Sequence, residues 1–70
     1  MMPLTMAQPG IKGLIKKITG KEEVKRFLES LGFVAGSEVS VVSTINGNLI
    51  VNVKDSRVAI SREMANKIMI

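Results

Sequence analysis

The side chains that carry out most enzymatic chemistry are missing from this sequence of 70 residues, which contains neither histidine nor cysteine. Without them a Ser-His or Cys-His nucleophile cannot form, and the usual general base near neutral pH is absent. Gly13, Gly20 and Lys21 do not form a phosphate-binding loop, because six residues separate the two glycines. Glu22 also occupies the position of the magnesium-binding hydroxyl. The sequence therefore predicts a protein that is not an enzyme.

The acidic residues are the remaining candidates for chemistry, and they are spread along the chain: Glu22, Glu23, Glu29, Glu38, Asp55 and Glu63. No two of them are expected on facing strands. Glu22 with Arg26, and Lys25 with Glu29, are better explained as i,i+4 pairs of a helix, each worth about 0.2–0.5 kcal/mol. Scattered carboxylates alone make a weak and unselective metal site. We expect no catalytic residue, no metal site and no cofactor.

One amphipathic α-helix is predicted over about residues 22–31. Four apolar side chains share one face of it at helical spacing: Val24, Phe27, Leu28 and Leu31. Gly32 supplies the left-handed residue that ends such a helix, and Phe33 is placed to fold back on the last turn. At the start, Thr19 and Glu22 match a capping box, in which the Thr19 hydroxyl bonds the Glu22 amide.

Most of the remaining sequence is predicted to be β-strand. Five short segments have the composition of strands: residues 12–18, 38–44, 49–54, 57–61 and 67–70. The irregular pattern of Lys12–Ile18, with Leu14, Ile15 and Ile18 as its apolar side chains, indicates a bend, and Val42 breaks the alternation of its strand. Because the strands are short, we expect them to close into a small barrel.

Turn residues separate these strands. Gly36 ends the turn after the helix, and Asn46-Gly47 is a strong signal for a type I′ hairpin, in which both central residues need positive φ. Asp55-Ser56 is predicted to be a second tight turn. Ser61 is predicted to cap a short helical turn near residues 62–65.

Composition narrows the possible classes of protein further. The chain has a net charge of +4 and is 46% hydrophobic, with no apolar run near the ~18 residues of a membrane span. No signal peptide is evident, so we expect a single cytoplasmic domain over residues 1–70. The basic charge is explained either by solubility or by an anionic partner such as RNA, an acidic protein surface or an anionic membrane leaflet.

Three motifs together resemble the ferrous iron transport protein A (FeoA) family. They are Gly10-x-x-Gly13-x-Ile15-x-x-Ile18-x-Gly20, Leu28-x-x-Leu31-Gly32-Phe33-x-x-Gly36 and Val58-Ala59-Ile60-x-x-x-x-Ala65-x-x-Ile68. The resemblance runs from Leu4 to Ile70 and implies a mainly β, SH3-like barrel with one helix inserted after the first long strand. Ala35 stands where the family often has proline, and Phe27 where it often has arginine.

The resemblance also implies a role in ferrous iron uptake. Ferrous iron is typically bound by imidazole together with carboxylate, and this chain has no imidazole, so we expect no direct coordination. The partner that the resemblance implies is the membrane transporter ferrous iron transport protein B, with its cytoplasmic GTP-binding domain. We predict an accessory or regulatory protein that contacts this partner through the solvent side of the helix, at Lys21, Lys25, Arg26 and Glu29.

Two alternatives remain. Small basic barrels also bind nucleic acids, but stacking platforms are then needed, and the two aromatic residues, Phe27 and Phe33, are both predicted to be in the core. The second alternative is a stand-alone SH3-like domain related to iron-dependent repressors of the diphtheria toxin repressor type. Those repressors carry a DNA-reading helix-turn-helix and a metal site before the barrel, and we expect neither here.

Overall fold

The structure is a computed structural model that describes all 70 residues, with six β-strands, two α-helices and one short 3-10 helix. The strands are β1 (Lys12–Leu14), β2 (Lys17–Ile18), β3 (Glu38–Ile45), β4 (Asn48–Val53), β5 (Ser56–Ser61) and β6 (Ile68–Met69). The helices are α1 (Glu22–Ser30) and α2 (Arg62–Ala65), and the 3-10 helix is Leu4–Met6. Neither α-helix has the length and apolar character needed to cross a bilayer.

The strands pair in two antiparallel sheets. One sheet has four strands in the order β1-β3-β4-β5, and the other pairs β2 with β6. The predicted strand Lys12–Ile18 is thus two strands in different sheets, with the chain bending at Ile15 and Lys16. The Lys16 amide donates to the Met69 carbonyl at 2.7 Å, which places β6 next to this bend. The mainly β architecture is confirmed, although the paired strands do not form one continuous ring.

A β-bulge interrupts the pairing of β3 with β4. Val41 lies opposite Val51, but Ser43 lies opposite Ile50, so Val42 is the extra residue. Val42 is also the residue that breaks the alternation in the sequence. A bulge increases the local twist, which helps a short sheet to curve over its core.

Both β-hairpins of the large sheet have two-residue turns with positive φ. Asn46 (49°) and Gly47 (83°) connect β3 to β4, which confirms the prediction for this hairpin. The second turn is formed by Lys54 (48°) and Asp55 (62°), so the prediction of Asp55-Ser56 was wrong by one residue. Ser56 instead pairs with Val53 and already belongs to β5.

One hydrophobic cluster of twelve buried residues fills the space between the sheets and α1. Its members are Leu4, Ile15, Leu28, Phe33, Val39, Val41, Leu49, Val51, Val53, Ile60, Ala65 and Ile68. Leu31 and Val24 pack against it while partly exposed. The predicted core residue Phe27 lies outside it, because it is 48% exposed, and the apolar Leu14 is 56% exposed. Leu14 alternates with the buried Ile15, so it points to the other face of the strand.

The end of α1 is the predicted Schellman motif. The amide of Gly32 (φ 105°) donates to the Glu29 carbonyl, and the amide of Phe33 donates to the Leu28 carbonyl, both at 3.0 Å. The predicted capping box at the start of α1 was wrong, because Lys21 is the N-cap and makes no side-chain capping bond. Thr19 instead donates its hydroxyl to the Lys67 carbonyl at 3.2 Å.

The C-terminal segment ties the two ends of the fold together. The Ser61 hydroxyl accepts a hydrogen bond from the Met64 amide at 3.2 Å, which confirms the predicted cap of α2. Further along, Met2 and Ile70 each donate an amide hydrogen bond to the other's carbonyl at 2.9 Å. The two ends of the chain, at Met2 and Ile70, therefore lie side by side and run antiparallel.

Candidate partner-binding surface

The four residues predicted to bind a partner lie on or next to α1. Lys21 is the exposed N-cap, Arg26 and Glu29 are exposed, and Lys25 is half-buried. The predicted pair of Arg26 with Glu22 is present, with Nε and Oε1 4.0 Å apart. The other predicted pair, Lys25 with Glu29, does not form. The structure has one more ion pair, between Lys12 and Glu38.

Helix geometry separates the basic residues of α1. Successive residues are rotated by about 100°, so Lys25 and Arg26 point in clearly different directions. Arg26 shares the solvent face with Glu22 and Glu29, whereas Lys25 lies at the side of the helix and is partly buried. The exposed face of α1 is thus mixed in charge, and Lys25 and Arg26 do not lie side by side on it.

Phe27 adds an apolar element to this surface that sequence analysis missed. Phe27 is 48% exposed and follows Arg26 on a helix that the fully buried Leu28 anchors to the core. Phe27 is rotated by about 100° from Leu28, whereas Val24 and Leu31 are rotated by only about 40° and 60°. Helical spacing correctly identified the buried face, but it did not show how much of the stripe the sheets cover.

A second apolar surface, the N-terminal groove, was also missed. This groove has a volume of about 450 Å³ and is lined mainly by Met2, Met6, Ile11, Gly13 and Ile70. Gly13 gives it its floor, since a Cβ at that position would come within 3.3 Å of the Ile70 Cδ1 atom. Because the residues come from both ends of the chain, no local sequence pattern could have indicated the groove.

The polar surface of the large sheet holds a more open cleft of about 540 Å³, lined in part by Lys12, Glu38, Lys54 and Asp55. Glu38 is paired with Lys12, with Oε2 and Nζ 3.8 Å apart. No group of three or more acidic residues is arranged to hold a metal ion, and no polar or charged side chain is buried. The groups available for function are therefore at the surface.

Comparison with known proteins places this architecture in a family. The FeoA domain profile matches residues 2–70. The chain belongs to the FeoA domain family. A FeoA relative in Methanocaldococcus jannaschii, named for a proposed role as Fe(2+) transport protein A, is 37% identical over 70 residues, covering 100% of this chain and 85% of the relative.

Two solved FeoA structures have the same fold. A crystal structure of an iron uptake regulatory protein (FeoA) superimposes with a TM-score of 0.89 at 31% identity, covering 97% of this chain and 90% of the other. FeoA of Stenotrophomonas maltophilia, solved with zinc and described as a prokaryotic SH3 domain protein, gives a TM-score of 0.85 at 24% identity over 99% and 88% of the chains. The predicted SH3-like fold is confirmed.

Two glycines of the FeoA motifs have clear structural roles in this chain. Gly32 carries the positive φ that lets Phe33 turn back over α1. Gly36 also has positive φ (89°), and its amide donates to the Ile15 carbonyl at 2.8 Å, next to the bend between β1 and β2. These glycines position α1 against the sheets, and so they position the exposed face that carries Arg26 and Phe27.

Proposed function

We propose that this FeoA protein is a small cytoplasmic accessory protein of ferrous iron uptake, acting by contact with the membrane transporter ferrous iron transport protein B. The observation that carries the proposal is the FeoA domain match over residues 2–70. The relative in Methanocaldococcus jannaschii, named for Fe(2+) transport, supports the link to ferrous iron. The transporter is proposed as the partner because it belongs to the same uptake system.

The chemistry of the chain favours binding over catalysis. Active sites usually contain buried or partly buried acids and bases with altered proton affinity. Here every charged side chain is at least partly exposed, and the chain has no histidine or cysteine. A protein of this kind acts most simply by presenting a rigid surface to another protein.

The exposed face of α1 is the proposed docking surface. Aromatic and arginine side chains dominate the energy of many protein interfaces, especially when a rigid element presents them. Arg26 and Phe27 provide this combination, rotated by about 100° from each other around α1. Glu29 lies on the Arg26 side, Lys25 lies on the side of the helix away from Phe27, and Lys21 is the N-cap. We therefore assign Arg26 the central polar contact, Phe27 an apolar contact at one edge of the exposed face, and Glu29 and Lys25 polar contacts toward the other edge.

Charge reversal tests the polar part of this surface. A Lys25→Glu, Arg26→Glu double variant should capture less of the transporter's cytoplasmic domain, and the loss should be larger at low salt than at high salt. The matched control is Lys16→Glu with Lys17→Glu, which reverses two consecutive exposed charges away from α1. Equal capture by both double variants would remove the assignment to α1.

Truncation of Phe27 tests the apolar part. Phe27→Ala should weaken capture at every salt concentration, because the lost contact is not ionic. Ile45→Ala is the control, since Ile45 is also a large exposed apolar residue, at 53% exposure, but lies in β3. If the wild-type protein captures no transporter at either salt concentration, the proposed partnership itself is wrong.

Nucleic acid is not favoured as the partner. Phe33 is fully buried, which leaves Phe27 as the one aromatic side chain accessible for stacking. Proteins that bind single strands without sequence preference stack successive bases on several aromatic side chains. The net charge of +4 alone does not supply such a platform.

A further inference from the structure

The strand β5 (Ser56–Ser61) forms an open edge of the four-stranded sheet. It pairs along its whole length with β4 and with no other strand. No backbone hydrogen bond connects residues 56–61 to a turn, loop or terminus of the chain. The helix α2 packs against β4 and the 3-10 helix as well as β5, which places it over a face of the sheet. The outer side of β5 is therefore free from Ser56 to Ile60, and the strand ends at Ser61, the N-cap of α2.

The backbone groups on this outer side can be assigned from the register. The two-residue turn at Lys54-Asp55 makes Val53 and Ser56 a hydrogen-bonded pair, and such pairs alternate along an antiparallel ladder. Val58 and Ile60 therefore bond to β4. Arg57 and Ala59 direct both their amide and their carbonyl groups away from the sheet. Ser61 directs only its amide there, because its carbonyl, as that of the N-cap of α2, accepts the first hydrogen bond of the helix.

This edge has few of the features that normally prevent pairing between molecules. Proline, bulges and repeated charges protect exposed strand edges in most proteins. The strand β5 contains no proline, its register with β4 is unbroken over six residue pairs, and Arg57 is its one charged residue. The opposite edge strand, β1, is only three residues long. Of the two edges, that of β5 has the long unbroken register, because the part of β3 beyond β1 carries the bulge at Val42.

We propose that β5 pairs with β5 of a second copy of this chain, in an antiparallel arrangement with Ala59 of both copies at the two-fold axis. Each outward-facing residue then meets another outward-facing residue, because Arg57 lies opposite Ser61 and Ala59 lies opposite Ala59. The two four-stranded sheets join into one sheet of eight strands. The proposal is separate from the proposed function, since it uses β5 and not α1.

The sequence of β5 is compatible with itself in this register. The one cation, Arg57, faces a neutral serine, so no like charges lie directly opposite each other. Val58 faces Ile60 of the other copy on the apolar side of the sheet, and the exposed Ala59 brings no bulky group to the axis. The small contact area predicts a weak dimer, and the charge of +4 on each copy predicts that added salt strengthens it.

Sedimentation velocity from about 10 µM to about 1 mM protein tests the proposal over the range of weak association. The wild-type protein should shift toward dimer as concentration rises. Ala59→Pro should stay monomeric, because proline removes an outward amide that β4 does not use. Ala59→Thr keeps that amide and should dimerise like the wild type. A wild-type monomer at the highest concentration, or equal dimerisation of Ala59→Pro, would overturn the proposal.

Amide hydrogen exchange in the wild-type protein gives a second test that needs no variant. Exchange at Arg57 and Ala59 should slow several-fold as protein concentration rises, because their amides become bonded in the dimer. Exchange at Val58 and Ile60 should change little, since β4 already protects these amides. Concentration-independent exchange at Ala59 would contradict pairing through β5 even if the protein dimerises.

Discussion

The amide of Phe33 donates a hydrogen bond of 3.0 Å to the carbonyl oxygen of Leu28, and both side chains are completely buried. One backbone contact therefore ends α1 and fixes two large core residues relative to each other. The local helix stop and the global packing depend on the same pair. The helix stop and the core packing therefore place their requirements on the same short motif, Leu28-x-x-Leu31-Gly32-Phe33.

Leu28→Ala should remove most of the stability of the fold. A buried leucine-to-alanine change costs about 2–5 kcal/mol, and a core of this size supplies only roughly 3–5 kcal/mol in total. Leu31→Ala should cost less, because Leu31 is only half-buried, and Phe27→Ala should cost least. Urea unfolding of the three variants measures this order. Equal losses for Leu28→Ala and Phe27→Ala would contradict the assigned orientation of α1.

Gly47→Val should destabilise the hairpin between β3 and β4. Gly47 has a φ of 83°, and a Cβ there would meet no atom within 4 Å, so any cost comes from the backbone conformation alone. Left-handed backbone costs an L-residue roughly 1–2 kcal/mol. Asn48→Val is the matched control at the neighbouring exposed strand position. In thermal unfolding, Gly47→Val should have a clearly lower melting temperature than Asn48→Val. Equal melting temperatures would refute the turn type.

The second hairpin should be improvable by substitution. Lys54 and Asp55 both have positive φ, at 48° and 62°, although neither is a glycine. Replacing Lys54 with Asn and Asp55 with Gly introduces the residues that type I′ turns prefer. We expect a gain of about 0.5–1 kcal/mol in the free energy of unfolding, by chemical denaturation. Lys54→Gly with Asp55→Asn reverses the order and should gain less. A loss of stability in the first variant would show that the Lys54 side chain matters more than the turn.

No tight binding of ferrous iron is expected for the protein alone. Imidazole and thiolate ligands are missing, and Glu38 is already paired with Lys12. Anaerobic calorimetry should detect no stoichiometric binding in the micromolar range. A Glu22→His, Arg26→His variant places two imidazoles at i and i+4 on α1 and serves as a positive control. Micromolar binding by the wild type would mean that carboxylates from separate elements converge on a metal.

The features predicted correctly from the sequence are those that depend on neighbouring residues. The stripe around Leu28 follows from helical periodicity, and the stop at Gly32 and the Asn46-Gly47 turn follow from residues suited to positive φ. The capping box at Thr19 was wrong because a contact with Lys67, 48 residues away, competes for the hydroxyl. The second turn was misplaced because Lys54, at its first central position, is not a residue typical of a type I′ turn and gave no signal there.

The candidate surfaces were less predictable than the fold. Periodicity gives the direction of a buried face but not its width, so Phe27 was assigned to the core although it is exposed. The N-terminal groove is built from residues at both ends of the sequence, such as Met2 and Ile70, and no local pattern connects them. Sequence alone also gives no indication of which edge of a sheet stays open, since that depends on strand order.

The paired amides and carbonyls of Met2 and Ile70 determine how this protein would respond to mechanical force. Pro3 bridges Met69 in the same antiparallel direction, so both ends leave the fold on the same side. A force applied to the two ends would load these backbone hydrogen bonds one after another, in an unzipping geometry. We expect unfolding at low force in such a geometry, whereas the hairpins of the large sheet would be loaded only after the ends have separated.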